Sequence, residues 1–236
     1  MGNEIEPDAL ERQLQTDARR RAAADPLPGP VAEAFLEECV AVLTRTPATL
    51  DAMLRGLPDV WTEATEGPGT WSPYVVLGHL IHGEKADWMP RLAIILEHGP
   101  DRPFDPLDRE AQLREGHEKP LATLLDEFSV WRRENLERLR GLNLQPAQLE
   151  LVGTHPALGR VTVRQLLATW TAHDLGHILQ VSRVMARRFK QEVGPWAAYL
   201  SVMKQRKPPR KAACSPEWPP YVVCCLAAAW VRSSLW

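Results

Sequence analysis

From Val31 to Leu57 apolar residues recur at helical spacing through Phe35, Leu36, Val40, Leu43, Leu50, Met53, Leu54 and Leu57, which predicts a helix with one buried face. Thr46-Pro47 interrupts this run. Thr is a good N-cap and Pro is tolerated at a first helical position, so the stretch is either two consecutive helices or one bent one. Gly67-Pro68-Gly69 marks a turn, and Ser72-Pro73 repeats the cap-plus-proline signature ahead of a second apolar-periodic stretch, Tyr74 to about Glu97, which His98-Gly99-Pro100 ends. Residues 101–118, with Pro103, Pro106 and several charges, read as a long surface connection. A third helix is expected from about Leu121 to Arg140, burying Leu121, Leu124, Leu125, Phe128, Trp131, Leu136 and Leu139, with Gly141 as its stop. Residues 149–161 contain Gly153, Pro156 and Gly159 and predict a short hairpin or loop. The fourth helix opens on Thr162-Val163-Arg164-Gln165, a capping box in which the first and last side chains satisfy each other's free amides, and runs to about Phe189.

Four long amphipathic helices with one long crossover predict an all-α four-helix bundle, a fold that builds metal sites from inward-facing side chains. The bundle is expected over residues 31–203. Residues 1–30 are charged and end in Pro26-Leu27-Pro28-Gly29-Pro30, the mark of a flexible N-terminal segment. Residues 204–236 change character abruptly: a basic, proline-broken run from Lys204 to Lys211 precedes a short apolar patch from Tyr221 to Val231, and the whole reads as an atypical, poorly ordered tail.

Charge narrows the partners. Lys plus Arg total 28 against 30 for Asp plus Glu, a formal net charge of −2, which supplies no electrostatic drive toward nucleic acid or anionic lipid. No apolar run approaches the roughly 18 residues of a membrane span, and the acidic start lacks the apolar core of a signal peptide, so a cytoplasmic protein is expected. Cysteine usage agrees: Cys39 is the only cysteine before Cys214, and Cys214, Cys224 and Cys225 lack metal-site spacing.

The candidate chemistry lies in His173 and His177, within Trp170-Thr171-Ala172-His173-Asp174-Leu175-Gly176-His177. Residues i and i+4 stack on one helical face, so both imidazoles can reach one ion. A third ligand has to come from another helix, and the second long helix offers His79, with His82 three positions on and turned in a neighbouring direction. Three neutral imidazoles with one position left to water or substrate form an open, reactive site. Leu175, Ile178, Leu179, Val181 and Val184 make the helix apolar around much of its circumference, so the two histidines would be expensive to bury without partners.

Asp174 and Gln180 could orient the imidazoles. Asp174, however, is turned about 100° from His173, and a solvent-facing charge is at least as natural a reading. Glu84 and Asp87, the acids in the middle of the second helix, are weak candidates for a general base, against the more ordinary intrahelical pair of Asp87 with Arg91. His98, His117 and His155 fall at a helix end or in loops, where a solvated histidine is unremarked; His155 draws notice because its loop leads into the last helix.

Trp71-Ser72-Pro73-Tyr74-Val75-Val76-Leu77-Gly78-His79-Leu80 and His173-Asp174-Leu175-Gly176-His177, with Glu84, Asp87-Trp88, Arg91, Gly159, Gln180 and Gly194-Pro195-Trp196 through Tyr199-Leu200 around them, resemble the motifs of the bacterial DinB-like family. The resemblance covers about residues 31–203 and implies an up-down-down-up bundle that often dimerises. It selects His79 over His82 and implies a divalent metal, zinc or nickel, held by His79, His173 and His177. It further implies a metal-dependent transferase that uses a low-molecular-weight thiol such as bacillithiol, mycothiol or glutathione, with a small-molecule second substrate. A metal-dependent hydrolase is one alternative. A non-catalytic stress-response or binding protein with a structural metal is the other, against which an open coordination position argues.

Overall fold

The computed structural model describes residues 29–108, 111–114 and 119–203; the expectations for the N-terminal segment before residue 29, for His117 and for the tail from 204 onward lie outside the described residues. Helix α1 (Gly29–Leu54) is one element and runs through Pro47. Thr46-Pro47 therefore opens no new helix. Pro47 lacks the N–H that would have bonded the Leu43 carbonyl, and that carbonyl accepts instead from Arg132 Nη1 at 2.9 Å. After a short turn of helix, α2 (Asp59–Thr62), Ser72 caps α3 (Pro73–Ala86) by accepting from the Val75 amide.

The second long stretch is broken where the sequence suggested continuity. Helix α3 stops at Ala86 and α4 (Trp88–His98) begins after Asp87, whose backbone turns to φ −110°, ψ −75°. Pro90 explains the break: it cannot donate to the Ala86 carbonyl, and its ring crowds that oxygen, whereas in the first turn of a new helix it is tolerated. Gly99, at φ +59°, ends α4. The crossover carries one short helix, α5 (Ala111–Arg114), and leads to α6 (Leu121–Gly141). Gly141 remains helical, and the residue in the left-handed region is Asn143, at φ +45°; the stop lies two residues later than expected. Helix α7 (Pro146–Leu149) precedes an antiparallel hairpin of β1 (Val152–His155) and β2 (Gly159–Thr162), in which Val152 pairs with Thr162 and His155 with Gly159. Both bonds of the predicted capping box are made at the start of α8 (Val163–Arg187), between Thr162 and Gln165.

Cross-helix pairs give the direction of each helix. Tyr74 bonds the Lys119 carbonyl near the start of α3 and α6, and Asn135 bonds the Glu84 carbonyl further along both, so these helices are parallel. Helices α1 and α8 are parallel too, with Arg164 over Phe35, Thr171 beside Cys39 and Asp174 beside Thr46. Helix α1 runs against α6, as Arg55–Asp126 and Leu43–Arg132 show, and α3 runs against α8 through His79–His173 and Glu84–Trp170. The order is up-down-down-up. Of the other long helices, α1 packs on α6 and α8, and α3 packs chiefly on α6 and also on α8, so the first two long helices face each other diagonally. A parallel α3–α6 pair forces the chain to travel back along the bundle, which accounts for the crossover.

The core divides in two. One apolar cluster gathers Leu43, Trp88, Leu92, Leu136, Leu139 and Trp170; the other gathers Leu50, Leu77, Leu80, Phe128 and Val181. Between them each long helix contributes a polar side chain, Thr46, Glu84, Arg132 and Asp174, none more than 2% exposed. The hairpin closes the first cluster, where Gly153 lies against α4 and the crossover. A Cβ on Gly153 would stand 2.6 Å from Ile95 Cγ1 and 2.9 Å from Phe104 Cε1. Gly153→Ala is expected to lower stability by about 1–3 kcal/mol, the usual cost of overpacking, as read from urea denaturation.

Candidate metal centre

Helices α3 and α8 cross antiparallel, and the crossing brings His79 opposite His173 and His177. His79 Nε2 lies 3.1 Å from His173 Nε2, and His177 Nε2 lies 3.1 Å from the same atom. One donor atom from each of the three residues falls within 4.8 Å of the others. Ligand bonds of about 2.0–2.1 Å to a tetrahedral ion would set such nitrogens roughly 3.3 Å apart, so the three fit a common ion with little movement. Among the described residues no carboxylate or thiol joins this grouping. Indole rings wall it: Trp71 is 4.8 Å from the His79 ring and stacks nearly parallel on His177 at 6.3 Å, and Trp88 meets His173 edge-on at 5.1 Å. His79 is buried, while the His173 side chain is 25% exposed, so the cluster is reached from outside on one side.

The protonation of the rings follows from their neighbours. His177 Nδ1 lies 2.9 Å from Gln180 Oε1, an acceptor only, so Nδ1 carries the proton and Nε2 offers its lone pair. Burial, and then the like charge that His173 would carry, push the His177 pKa down to about 4, against smaller raising effects from Gln180 and Asp174. The ring is neutral at physiological pH, the form in which imidazole binds a metal. The His173 Nδ1 atom is buried without a hydrogen bond and lies 3.9 Å from Asp174 Oδ1.

Behind His173 stands the polar layer. Arg132 reaches Asp174 through Nη1 to Oδ2 at 2.6 Å and Nη2 to Oδ1 at 3.2 Å, and reaches Glu84 Oε1 through Nη2 at 2.6 Å and Nε at 3.0 Å. Its guanidinium lies over the Phe128 and Trp170 rings, at 5.0 and 5.2 Å from their centroids. Glu84 also accepts from Asn135 at 2.9 Å and from the Trp170 indole at 3.2 Å. Burial would raise the Asp174 carboxyl and lower the Arg132 guanidinium; the His173 and Arg132 contacts of the first, and the two carboxylates around the second, reverse both, so each favours its charged form.

Of the candidate acids, Glu84 has its oxygens engaged by Arg132, Asn135 and Trp170, and Asp87 pairs with Arg91 at 2.8 Å, the ordinary i,i+4 role. Neither enters the histidine grouping. His82 also stays outside it, its Nε2 buried without a hydrogen bond. His155 serves the hairpin, its Nδ1 accepting from the Ala157 and Leu158 amides, and His98 is largely exposed beside Glu97. Asp174 is fully buried and does not face solvent. Arg132 and Asn135 are the functional-layer residues that sequence reading missed. They continue the stripe of Leu125, Phe128 and Leu139 at helical spacing, so polar residues on a core face were the available signal; Trp131, expected in the core, is half-buried while its neighbour Arg132 takes the inner position.

A pH dependence follows from His177. Its folded pKa of about 4 lies below the roughly 6.5 of an unfolded histidine, so as pH falls below about 6.5 the unfolded chain takes up a proton that the folded protein refuses until about pH 4. The metal-free protein should therefore lose about 2 kcal/mol of stability on this account between pH 7 and pH 5. Urea denaturation in chelator should show that loss for the wild type in excess of the loss for His177→Gln.

Comparisons with known proteins agree with this architecture. The sequence profile of the DinB superfamily matches residues 42–220, beyond the expected boundary at 203. Among solved structures, YfiT from Bacillus subtilis, described as a probable metal-dependent hydrolase with an unusual four-helix bundle topology, superposes with a TM-score of 0.57 at 20% identity, over 65% of this chain and 87% of that one. Among curated proteins nothing matches the chain.

Proposed function

The chain belongs to the DinB superfamily, and from that premise we propose that it is a metal-dependent enzyme that binds one divalent ion, zinc or nickel, through Nε2 of His79, His173 and His177. The observation that carries this reading is the convergence of the three imidazole nitrogens, two of the pairs at 3.1 Å. Such an ion supplies Lewis-acid chemistry, lowering the pKa of a water or thiol in its open position toward neutrality. The chain's own residues do the rest. Gln180 holds the His177 ring in the tautomer that presents Nε2. Trp71 and Trp88 shield the ring faces from water and leave the exposed edge of His173 as the approach for substrate.

Two nucleophiles fit this arrangement. Water gives a hydrolase, the reading supported by the description of YfiT. A low-molecular-weight thiol gives a transferase, the reading supported by the motif resemblance, and sulfur is a good ligand for either metal. A thiol that is a substrate should raise the melting temperature of the loaded protein and leave that of the metal-free protein unchanged. A cytoplasmic homodimer is part of the same reading. Leu175 and Leu179, one turn apart and half exposed on α8, are the apolar pair such a dimer would cover; light scattering should give twice the chain mass, and Leu175→Glu with Leu179→Glu should return the monomer.

Metal analysis tests the central claim. Protein reconstituted with zinc and dialysed should carry about one ion per chain, and His173→Ala, His177→Ala or His79→Ala should carry far less. Wild-type protein that takes up none would end this reading. A catalytic ion should leave the bundle folded when chelated, with the melting temperature lowered by only a few degrees, whereas a structural ion would take most of the fold with it.

A further inference from the structure

Each histidine of α8 has its own neighbour at Nδ1, and the two differ in kind and in reach, a hydrogen bond at His177 and an electrostatic approach at 3.9 Å at His173. His177 faces the neutral amide of Gln180 at 2.9 Å. His173 faces Asp174, a carboxylate that is fully buried. Of the two Asp174 oxygens, Oδ2 makes the short 2.6 Å bond to Arg132, while Oδ1 has the longer 3.2 Å bond and stands 3.9 Å from His173 Nδ1. The oxygen less committed to the guanidinium is the one turned toward the imidazole.

Neutralising Arg132 would not by itself call for two carboxylates. Arg132 is already paired by Glu84 at 2.6 Å and held by the Leu43 carbonyl, so a second carboxylate leaves the buried layer formally one negative charge in excess. Surplus buried charge is costly unless a cation stands near. The neighbour on that side is the histidine cluster.

We propose that Asp174 is a positioning residue for His173: anchored from behind by Arg132, its carboxylate keeps the proton on Nδ1 and commits the Nε2 lone pair to the common centre. The proposal rests on the metal reading above and extends it to residues that never touch the ion. Arg132 acts through Asp174, and Pro47 contributes by leaving the Leu43 carbonyl free for Arg132. Nδ1 of His173 is buried, so water does not substitute for the carboxylate there.

The test uses Asp174→Asn, which keeps the shape and leaves Arg132 paired with Glu84. Zinc affinity is measured by competition with a chromophoric chelator, and the cobalt form by its visible absorption. Loss of such an outer partner weakens metal binding about 10–100-fold, and that loss is expected here in the folded protein with a shifted cobalt spectrum, over and above the fall in metal-free melting temperature that the weakened Arg132 pair brings. A merely structural role gives only the lowered metal-free melting temperature, with unchanged affinity of the folded protein, and would overturn the proposal. Zinc uptake by the wild type together with unaltered uptake by Asp174→Asn refutes the positioning role and leaves the metal reading standing; absence of uptake by the wild type defeats the metal reading itself. If Asp174→Asn does not fold, nitrogen-15 spectra of the zinc-loaded wild type decide. The Nδ1 proton of His173, facing a carboxylate, should resonate further downfield than that of His177, facing an amide, and equal shifts or rapid solvent exchange at His173 would overturn the proposal.

Discussion

Arg132 is buried where the two apolar clusters meet, and the cost of removing a guanidinium from water dictates what stands around it. Two carboxylates, one backbone carbonyl and two aromatic faces surround the charge. These come from all four long helices: Leu43 from α1, Glu84 from α3, Phe128 from α6 and Asp174 with Trp170 from α8. Apolar packing alone would tolerate a helix sliding or rotating by a residue. A bidentate guanidinium that must find both carboxylates does not, because it accepts them only in fixed directions. The same layer that sets the register of the helices therefore sets where His173, the residue beside Asp174, and His79, one turn before Glu84 and a little more, come to face each other.

Two prolines help by what they lack. Pro47 sits inside α1 and withholds an N–H from the Leu43 carbonyl, and the bundle gives that acceptor to Arg132. Pro90 withholds one from Ala86 and turns the chain at Asp87, so that α4 can bring Trp88 against the Trp170 and His173 rings. In each case a missing backbone donor, a defect in an isolated helix, lets tertiary structure place a group that the site uses.

The four long helices, the crossover, the hairpin and the capping box at Thr162 were legible in the sequence because each rests on local rules: period, caps and turn residues. The three histidines were legible because i,i+4 spacing fixes a face and the motif set selected His79. What escaped depends on distant pairing. Nothing local says that Asp174 turns inward, since the guanidinium that makes its burial tolerable lies 42 residues earlier. Arg132 itself hid beside Trp131, where hydrophobicity favours the tryptophan for the inner position. Pro90 is a local signal whose effect reaches back to the Ala86 carbonyl, and Glu84 is committed by Arg132, Asn135 and Trp170, partners on α6 and α8 that no local pattern shows.

The up-down-down-up order also bears on how the protein is made. Because α1 and α3 are diagonal, the first long helix cannot pack on the next one in the chain and waits for α6 and α8. Asp174, His173 and His177 all reside on α8, which follows the other three long helices in the order of synthesis. Until it docks, Arg132 has one carboxylate rather than two, and His79 lacks the other two imidazoles. Assembly of the buried layer and the meeting of the three imidazoles thus become a single late event.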